Sequence, residues 1–247
     1  FGLRIDPGRG DGHHGHVITA GGKAKFGCLP DRVPDARQYA EQIGAKIVGI
    51  HAHIGSGIKN NDTWAQVFRY LSDIRRRTLK DAEWIDIGGG LPIKESNLKT
   101  NFDIGKTNIA LQHERGEAWS GNSEVWIEPG RYIVGPAGVM LARVTQVKNK
   151  GNLKFIGIDA GMHTLIRPAM YDAYHEIYNL SKINEEPKSR YQVVGPICES
   201  GDVVGHNRML PETEPGDILL IDNAGAYGAV MSMHRYNMKP PAREIIL

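Results

Sequence analysis

"AEWIDIGGGLP", Ala82 to Pro92, decides how the rest of the chain is read: a strand-like run, Ala82 to Ile87, passes directly into three consecutive glycines. Upstream lies "NDTWAQVFRYLSDIRRRTL", whose Trp64, Val67, Phe68, Leu71 and Ile74 recur at helical spacing on one face, with Asp62 as the expected N-cap. Before it, "KIVGIHAHI" reads as a buried strand that also ends in glycines, in "HIGSG". Further back, "PDARQYAEQI" has helical spacing and stops at Gly44, an expected C-cap, and "LRID" is a short strand followed by a glycine-rich loop from Pro7 to Gly22. Downstream, "FDIGKTNIALQHERGEAW" is helical after its start and "SEVWIEPGR" is another strand. Strands separated by helices imply parallel βαβ units. The polar motif residues collect just after the strand ends, which is where a β/α barrel builds its active site.

From about Val134 the pattern changes. "VGPAGVMLARVTQVKNKGNLKFIGIDAG" alternates and turns at Lys150-Gly151, and "RYQVVGPIC", "GDVVGHNRML" and "GDILLIDNAGAYG" continue that way. Helical periodicity nearly vanishes. The expected fold is α/β plus β: part of a (β/α)8 barrel over residues 1–133, then a domain of antiparallel strands over 134–247.

The 247 residues allow one large domain or two small ones, and 40% hydrophobic residues suffice for a core. Thirty basic residues against 28 acidic leave a formal charge of +2, which argues against a nucleic-acid partner. The sharpest basic run, Arg75 to Arg77, reads as a solvated helix face. Cys28 and Cys198 are too few for a disulfide scaffold and suit a reducing cytoplasm. No apolar run reaches membrane-span length, so no membrane partner is expected.

Each candidate site has a plain alternative. The glycines Gly88 to Gly90 can leave backbone N–H groups free for a phosphate, or can simply make a tight turn that needs positive φ. In "WIEPGRY", Glu128 can hold a heteroaromatic nitrogen protonated and Arg131 can grip a carboxylate or phosphate; the alternative is a surface ion pair. In "HAHIGSG", His51 and His53 point to one side of a strand, yet no third metal ligand stands at a standard spacing. The "GHHGH" of Gly12 to His16 fits no such spacing either. A histidine stacked on a flat ring, with Ser56 donating to a phosphate, is the favoured reading. "IRPAMYDAYH" puts Arg167 and Tyr171 four apart, on one face of a helical turn suited to a carboxylate, or else makes them a surface Arg and a packed Tyr. "NAGAYG" presents Tyr227 among small residues, either as a turn tyrosine or as a phenol open to a ligand. "GPICESGD", Gly195 to Asp202, sets Cys198 in a polar turn, where a structural thiol is out of place.

Taken in order, "HIGSG", "DIGGG", "EPGRY", "RPAMY", "CESGD" and "GAY" resemble the motif series of the fold-type III pyridoxal-phosphate decarboxylases, most closely the branch acting on diaminopimelate. The likeness runs from "RIDPG" and "KFG" to the C-terminal "RYNMKPPAREIIL". It implies a cofactor-carrying barrel of the alanine-racemase type with a C-terminal β-domain, and decarboxylation of meso-2,6-diaminopimelate to lysine, with ornithine, arginine or carboxylated polyamines as alternative substrates. It also implies roles. His53 would stack on the pyridine ring and Glu128 would pair with its nitrogen. Ser56, Gly90, Gly130 and Arg131 would surround the phosphate. Arg131, Arg167 and Tyr171 would bind substrate carboxylate. Tyr227 would touch cofactor and substrate. Glu199 would hold the distal ammonium. Cys198 would be the acid that reprotonates the α-carbon, since an ordinary thiol is mostly protonated at neutral pH. A homodimer with shared active sites is implied as well.

The sequence departs from the pattern in one respect. The lysine that anchors the cofactor belongs upstream of every motif quoted, and Lys23, Lys25 and Lys46 do not match it. The chain is therefore expected to be the C-terminal part of a longer protein, inactive by itself. A homologue that binds without chemistry is the non-enzymatic alternative, and retention of Cys198, Glu199 and Tyr227 argues against it.

Overall fold

The computed structural model describes residues 1–94, 102–118 and 123–247. The chain divides into two compact units. One comprises Phe1–Ile93 with the described residues from Phe102 to Tyr132, and the other comprises Ile133–Leu247.

In the first unit the order is β1 (Gly2–Arg4), α1 (Val33–Gln42), β2 (Gly49–His51), α2 (Thr63–Thr78), β3 (Trp84–Asp86), α3 (Ile104–Ala118) and β4 (Glu124–Trp126), followed by the short α4 (Gly130–Val134), which runs on past Tyr132. The strands form one sheet in the order β1-β2-β3-β4, all parallel. Gly44 ends the first long helix as expected, at φ +72° with its N–H on the Glu41 carbonyl. Asp62 does hold the N-cap position of α2, but its side chain makes no capping bond. Trp119, expected to close α3, lies outside the described residues.

Register explains the two faces of this sheet. Leu3, Ile50, Ile85 and Val125 pair across it and join the core formed with α2, where Trp64, Val67, Phe68, Leu71 and Ile74 are all buried. The opposite face carries Arg4, His51, Asp86 and Trp126 in one row and Gly2, Gly49, Trp84 and Glu124 in the next. Gly2 and Gly49 are small because the Trp84 ring lies over them: a Cβ on either would come within 2.2 Å of it. Trp84 in turn stacks on Trp126, with ring centres 4.4 Å apart. Of the basic run, Arg75 does more than face solvent, since its Nε donates to the Ala82 carbonyl across 2.9 Å.

The second unit contains β5 (Met140–Lys150), β6 (Leu153–Ile158), α5 (Arg167–Tyr171), β7 (Ile177–Asn179), β8 (Ser189–Val194), β9 (Val203–Leu210) and β10 (Ile218–Ile221). They form one sheet, β7-β10-β5-β6-β8-β9. Every pair is antiparallel except β6 with β8, which run parallel, so the expected antiparallel domain is a mixed sheet. The turn at Gly151, φ +59°, is where the sequence placed it. The short β7 was not expected; its three residues alternate buried, exposed, buried, but are too few to mark a strand in the sequence. The core of this unit alternates along β5 as Met140, Ala142 and Val144, against Ile156, Ile158, Tyr191, Val193, Leu219 and Ile221.

Candidate active site

Two clusters carry the motif residues, one in each unit. In the first, parallel pairing brings the C-terminal ends of the strands level, so Arg4, His51, Asp86 and Trp126 share one edge. His53 and Glu128 each lie two residues past a strand end, and Gly88 likewise. The loops are tied to one another by backbone bonds: Glu128 N–H donates to Gly88 O at 3.0 Å, and Ile58 N–H to Gly90 O at 3.0 Å.

The glycine triplet is required by packing. A Cβ on Gly88 would lie 2.6 Å from Ala52 O, one on Gly89 2.1 Å from Glu128 O, and one on Gly90 2.4 Å from Gly55 O. Gly88 and Gly90 also have positive φ, +72° and +91°. The expectation of free amides fails for two of the three. Gly88 N–H goes to Asp86 Oδ1 at 2.8 Å, and Gly89 N–H to His53 Nδ1 at 3.0 Å. Trp64 Nε1 holds the Gly89 carbonyl from α2, at 3.0 Å.

The Gly89 bond fixes the state of His53. Its Nδ1 accepts a proton donor, so the ring is neutral with its hydrogen on Nε2. Burial pushes the imidazole below its ordinary value, and Arg4, whose Nη2 donates to the His53 carbonyl at 3.1 Å, pushes the same way. Glu128 Oε2 is 3.9 Å from His53 Nδ1, but the lone pair there is already taken, so the two form no ion pair. The nearer neighbour of Glu128 is His51, with Nε2 at 3.4 Å. Asp86 stands behind them, 8% exposed; burial raises its carboxyl, the Gly88 amide works against that, and Glu128 raises it again.

His51, Asp86 and Glu128 therefore present one donor atom each, all within 4.8 Å of one another. The sequence paired His51 with His53 and found no third ligand. The true neighbours come from adjacent strands, where no spacing rule reaches. Ser56 sits in a loop held by His13, whose N–H and Nδ1 lie 3.0 and 2.8 Å from the Ser56 carbonyl. Gly130 and Arg131 open α4, separated from Glu128 by Pro129 alone.

In the second unit, "GPICESGD" is the loop of the β8–β9 hairpin. Its fixed point is Asp202, 3% exposed. Asp202 Oδ1 accepts Met162 N–H at 2.6 Å, and Oδ2 accepts Ile197 N–H at 2.8 Å. The Asp202 carbonyl accepts Gly195 N–H at 2.9 Å, and its N–H donates to Glu199 O at 3.0 Å. Cys198 is thereby held exposed in the loop, with Glu199 beside it. Asn237 Nδ2 donates to Cys198 Sγ at 2.9 Å, and the Tyr236 hydroxyl donates to the Glu199 carboxylate.

Arg167 is not a surface residue. It is 3% exposed, and its Nη1 lies 3.0 Å from Nε2 of the fully buried His175, whose Nδ1 is 2.8 Å from the Asp222 carbonyl. A carbonyl only accepts, so His175 carries its hydrogen on Nδ1 and takes the Arg167 donor on Nε2. Tyr171 closes the same helical turn. Tyr227 is half exposed and left-handed at φ +61°, in a tight turn where a Cβ on Gly225 would meet Val134 O at 2.2 Å.

The residues that sequence reasoning passed over are Arg4, His51 as a neighbour of Glu128, Asp86, His175, Asp202, Tyr236 and Asn237. Asp86 and Asp202 stood inside quoted motifs, so a signal existed. His175, in "IRPAMYDAYH", and Asn237, in "RYNMKPPAREIIL", stood in such stretches too, but nothing local in them showed which residues they would meet.

A parallel half-barrel with a polar strand-end edge, followed by a mixed β-sheet, defines the class: a partial β/α barrel plus a β-domain. The family described as "Pyridoxal-dependent decarboxylase, C-terminal sheet domain" matches residues 28–225. The chain belongs to the pyridoxal-dependent decarboxylases. The diaminopimelate decarboxylase of Methanothermobacter thermautotrophicus is 40% identical over 253 residues, spanning 99% of this chain and 59% of the relative. That of Escherichia coli K12 is 35% identical over 262 residues, spanning 99% and 61%. The crystal structure of the Helicobacter pylori diaminopimelate decarboxylase complexed with L-lysine matches with a TM-score of 0.85 at 29% identity, covering 96% of this chain and 58% of that one. The chain thus spans about three fifths of the length of the relatives it matches. Among the described residues, no helix is long and apolar enough to cross a membrane.

Proposed function

We propose that the protein carrying this chain decarboxylates meso-2,6-diaminopimelate to L-lysine and CO2 with pyridoxal 5′-phosphate. The observation that carries the reading is the Cys198–Glu199 pair, a thiol beside a carboxylate on an anchored loop, in a chain whose relatives are named for that reaction.

The residues at the strand edge suit a flat ring with a basic nitrogen at one end and a phosphate at the other. Glu128 is a half-exposed carboxylate that would hold the ring nitrogen, and the neutral His53 offers an uncharged face for stacking. Ser56, Gly90, Gly130 and Arg131 would take the phosphate. When bound, the cofactor supplies the electron sink that accepts the pair released as CO2 departs. Arg131, Arg167 and Tyr171 would bind substrate carboxylate, and Tyr227 would contact cofactor and substrate. Glu199 would take the distal ammonium. Cys198 would then give its proton to the α-carbon: the S–H bond breaks, a C–H bond forms and the electron pair stays on sulfur.

By likeness to the family, the sites are shared across a homodimer in the cytoplasm. The 247-residue chain alone is proposed not to turn over. Lys46 pairs with Glu83 at 3.7 Å before β2 and β3 begin, at the end of the sheet away from His53.

The test is CO2 release by the intact protein, supplied with pyridoxal phosphate, from meso-diaminopimelate, ornithine, arginine and lysine side by side. Release from diaminopimelate alone supports the proposal. Release from another amine keeps the mechanism and sinks the role of Glu199. No release from any of them transfers the weight to a non-catalytic homologue.

A further inference from the structure

The chain turns back on the Cys198–Glu199 loop through a segment that is costly to form. Arg235, Asn237 and Met238 all have left-handed backbones, at φ +65°, +50° and +58°. Non-glycine residues enter that region at a price in energy, and such a cluster persists only where its surroundings hold it. Here the surroundings are identifiable. Tyr236 N–H bonds to Met233 O at 3.1 Å, Met238 N–H to Arg235 O at 2.9 Å, and Met233 N–H to Met162 O at 3.2 Å. The side chains at the apex then reach the loop, Asn237 to the sulfur and Tyr236 to the carboxylate. The bond to Glu199 also holds the Tyr236 phenol above its ordinary value, as a donor to an ionised carboxylate must be.

We propose that Asn237 is a positioning residue for Cys198: its side-chain amide donates to Sγ, aims the thiol, and stabilises the thiolate left when the proton is given up. An amide N–H is a donor only, so its contact with sulfur favours the form richer in negative charge. Were the amide turned the other way, its oxygen would accept from S–H and favour the thiol. The two orientations have opposite consequences, which makes the assignment testable. The effect on the thiol stands by itself; its use in catalysis rests on the reading of Cys198 as the acid.

The experiment follows alkylation of Cys198 by iodoacetamide against pH, in the intact protein, by mass spectrometry of the peptide that contains it. Asn237→Gly keeps the left-handed backbone available and removes the amide. Its alkylation at pH 7 should fall by about 3- to 10-fold, with the midpoint of the profile moved upward and the high-pH plateau unchanged. Asn237→Asp, which places a negative charge at the same point, should fall further. A faster rate at pH 7 with a lowered midpoint, an unmoved midpoint, or a change in the plateau alone would each overturn the proposal; the last would mean that Asn237 merely covers the thiol. Tyr236→Phe should leave the midpoint in place, and a shift as large as that of Asn237→Gly would assign the effect to the turn as a whole and not to the amide. If Cys198→Ala still releases CO2 at the normal rate, the acid reading fails, while the alkylation profile continues to decide the role of Asn237.

Discussion

Gly195 stands directly against the carboxylate of Asp202. A Cβ at Gly195 would lie 2.2 Å from Oδ2 and 2.6 Å from Cγ, and one at Gly161 would lie 2.5 Å from Oδ1. Asp202 cannot retreat, because both oxygens hold backbone N–H groups, of Met162 and Ile197. Gly195→Ala should therefore destabilise the second unit by about 1–3 kcal/mol, the usual cost of overpacking. Asp202→Ala strands two backbone donors, that of Ile197 buried and that of Met162 partly buried, and should cost at least as much. Urea midpoints of the two variants check this; a Gly195→Ala protein as stable as the parent would show that the loop shifts freely.

Trp64 ties α2 to the glycine loop through Nε1 and the Gly89 carbonyl. Trp64→Phe keeps most of the apolar bulk and removes the donor. A loss of about 1–3 kcal/mol is expected, since a buried carbonyl is left without its partner. Amide exchange at Gly88 to Gly90 should speed up with it. Unchanged protection there would mean that the loop is held by its backbone bonds alone.

Acid should weaken both units through their histidines. Burial holds His53 and His163 below the ordinary imidazole value, against the pull of Asp202 on His163. The unfolded chain then binds protons at higher pH than the folded one. Stability from these groups is complete above about pH 6.5 and is lost as pH falls from there through the folded values. Asp86 acts in the opposite sense. Its raised carboxyl costs stability as pH climbs from the ordinary carboxylate value through the folded one. NMR titration should find the midpoints of His53 and His163 below that of an ordinary imidazole, and a normal titration of either would contradict the burial argument.

Removing the thiol should affect chemistry more than binding. In the intact protein, Cys198→Ala should lower kcat by about 100- to 10,000-fold with little change in KM, the range seen when a general acid is lost. Glu199→Gln should instead raise KM for diaminopimelate, because it removes the charge opposite the distal ammonium. A kcat effect from Glu199→Gln with KM unmoved would reassign that residue to the chemical step.

Local pattern was enough for much of this protein. The spacing of Trp64, Phe68 and Leu71 marked α2, and glycine after strand-like runs marked the βαβ units. The alternation through Met140 to Lys150 marked the change to a sheet domain. The order of six short motifs pointed to the family without any coordinates. These are properties of near neighbours in the chain, and short-range periodicity and turn chemistry are written there. What lay beyond them depended on residues far apart in sequence. Parallel register placed His51 and Asp86 beside Glu128, and Asp202 reached back to Met162. The pairing of β6 with β8 ran parallel across an intervening segment. Asn237 met Cys198 across 39 positions. The glycine triplet shows the division within one motif. Its need for small residues was legible, but the bonds that occupy the Gly88 and Gly89 amides were not, because their acceptors are decided by packing between strands.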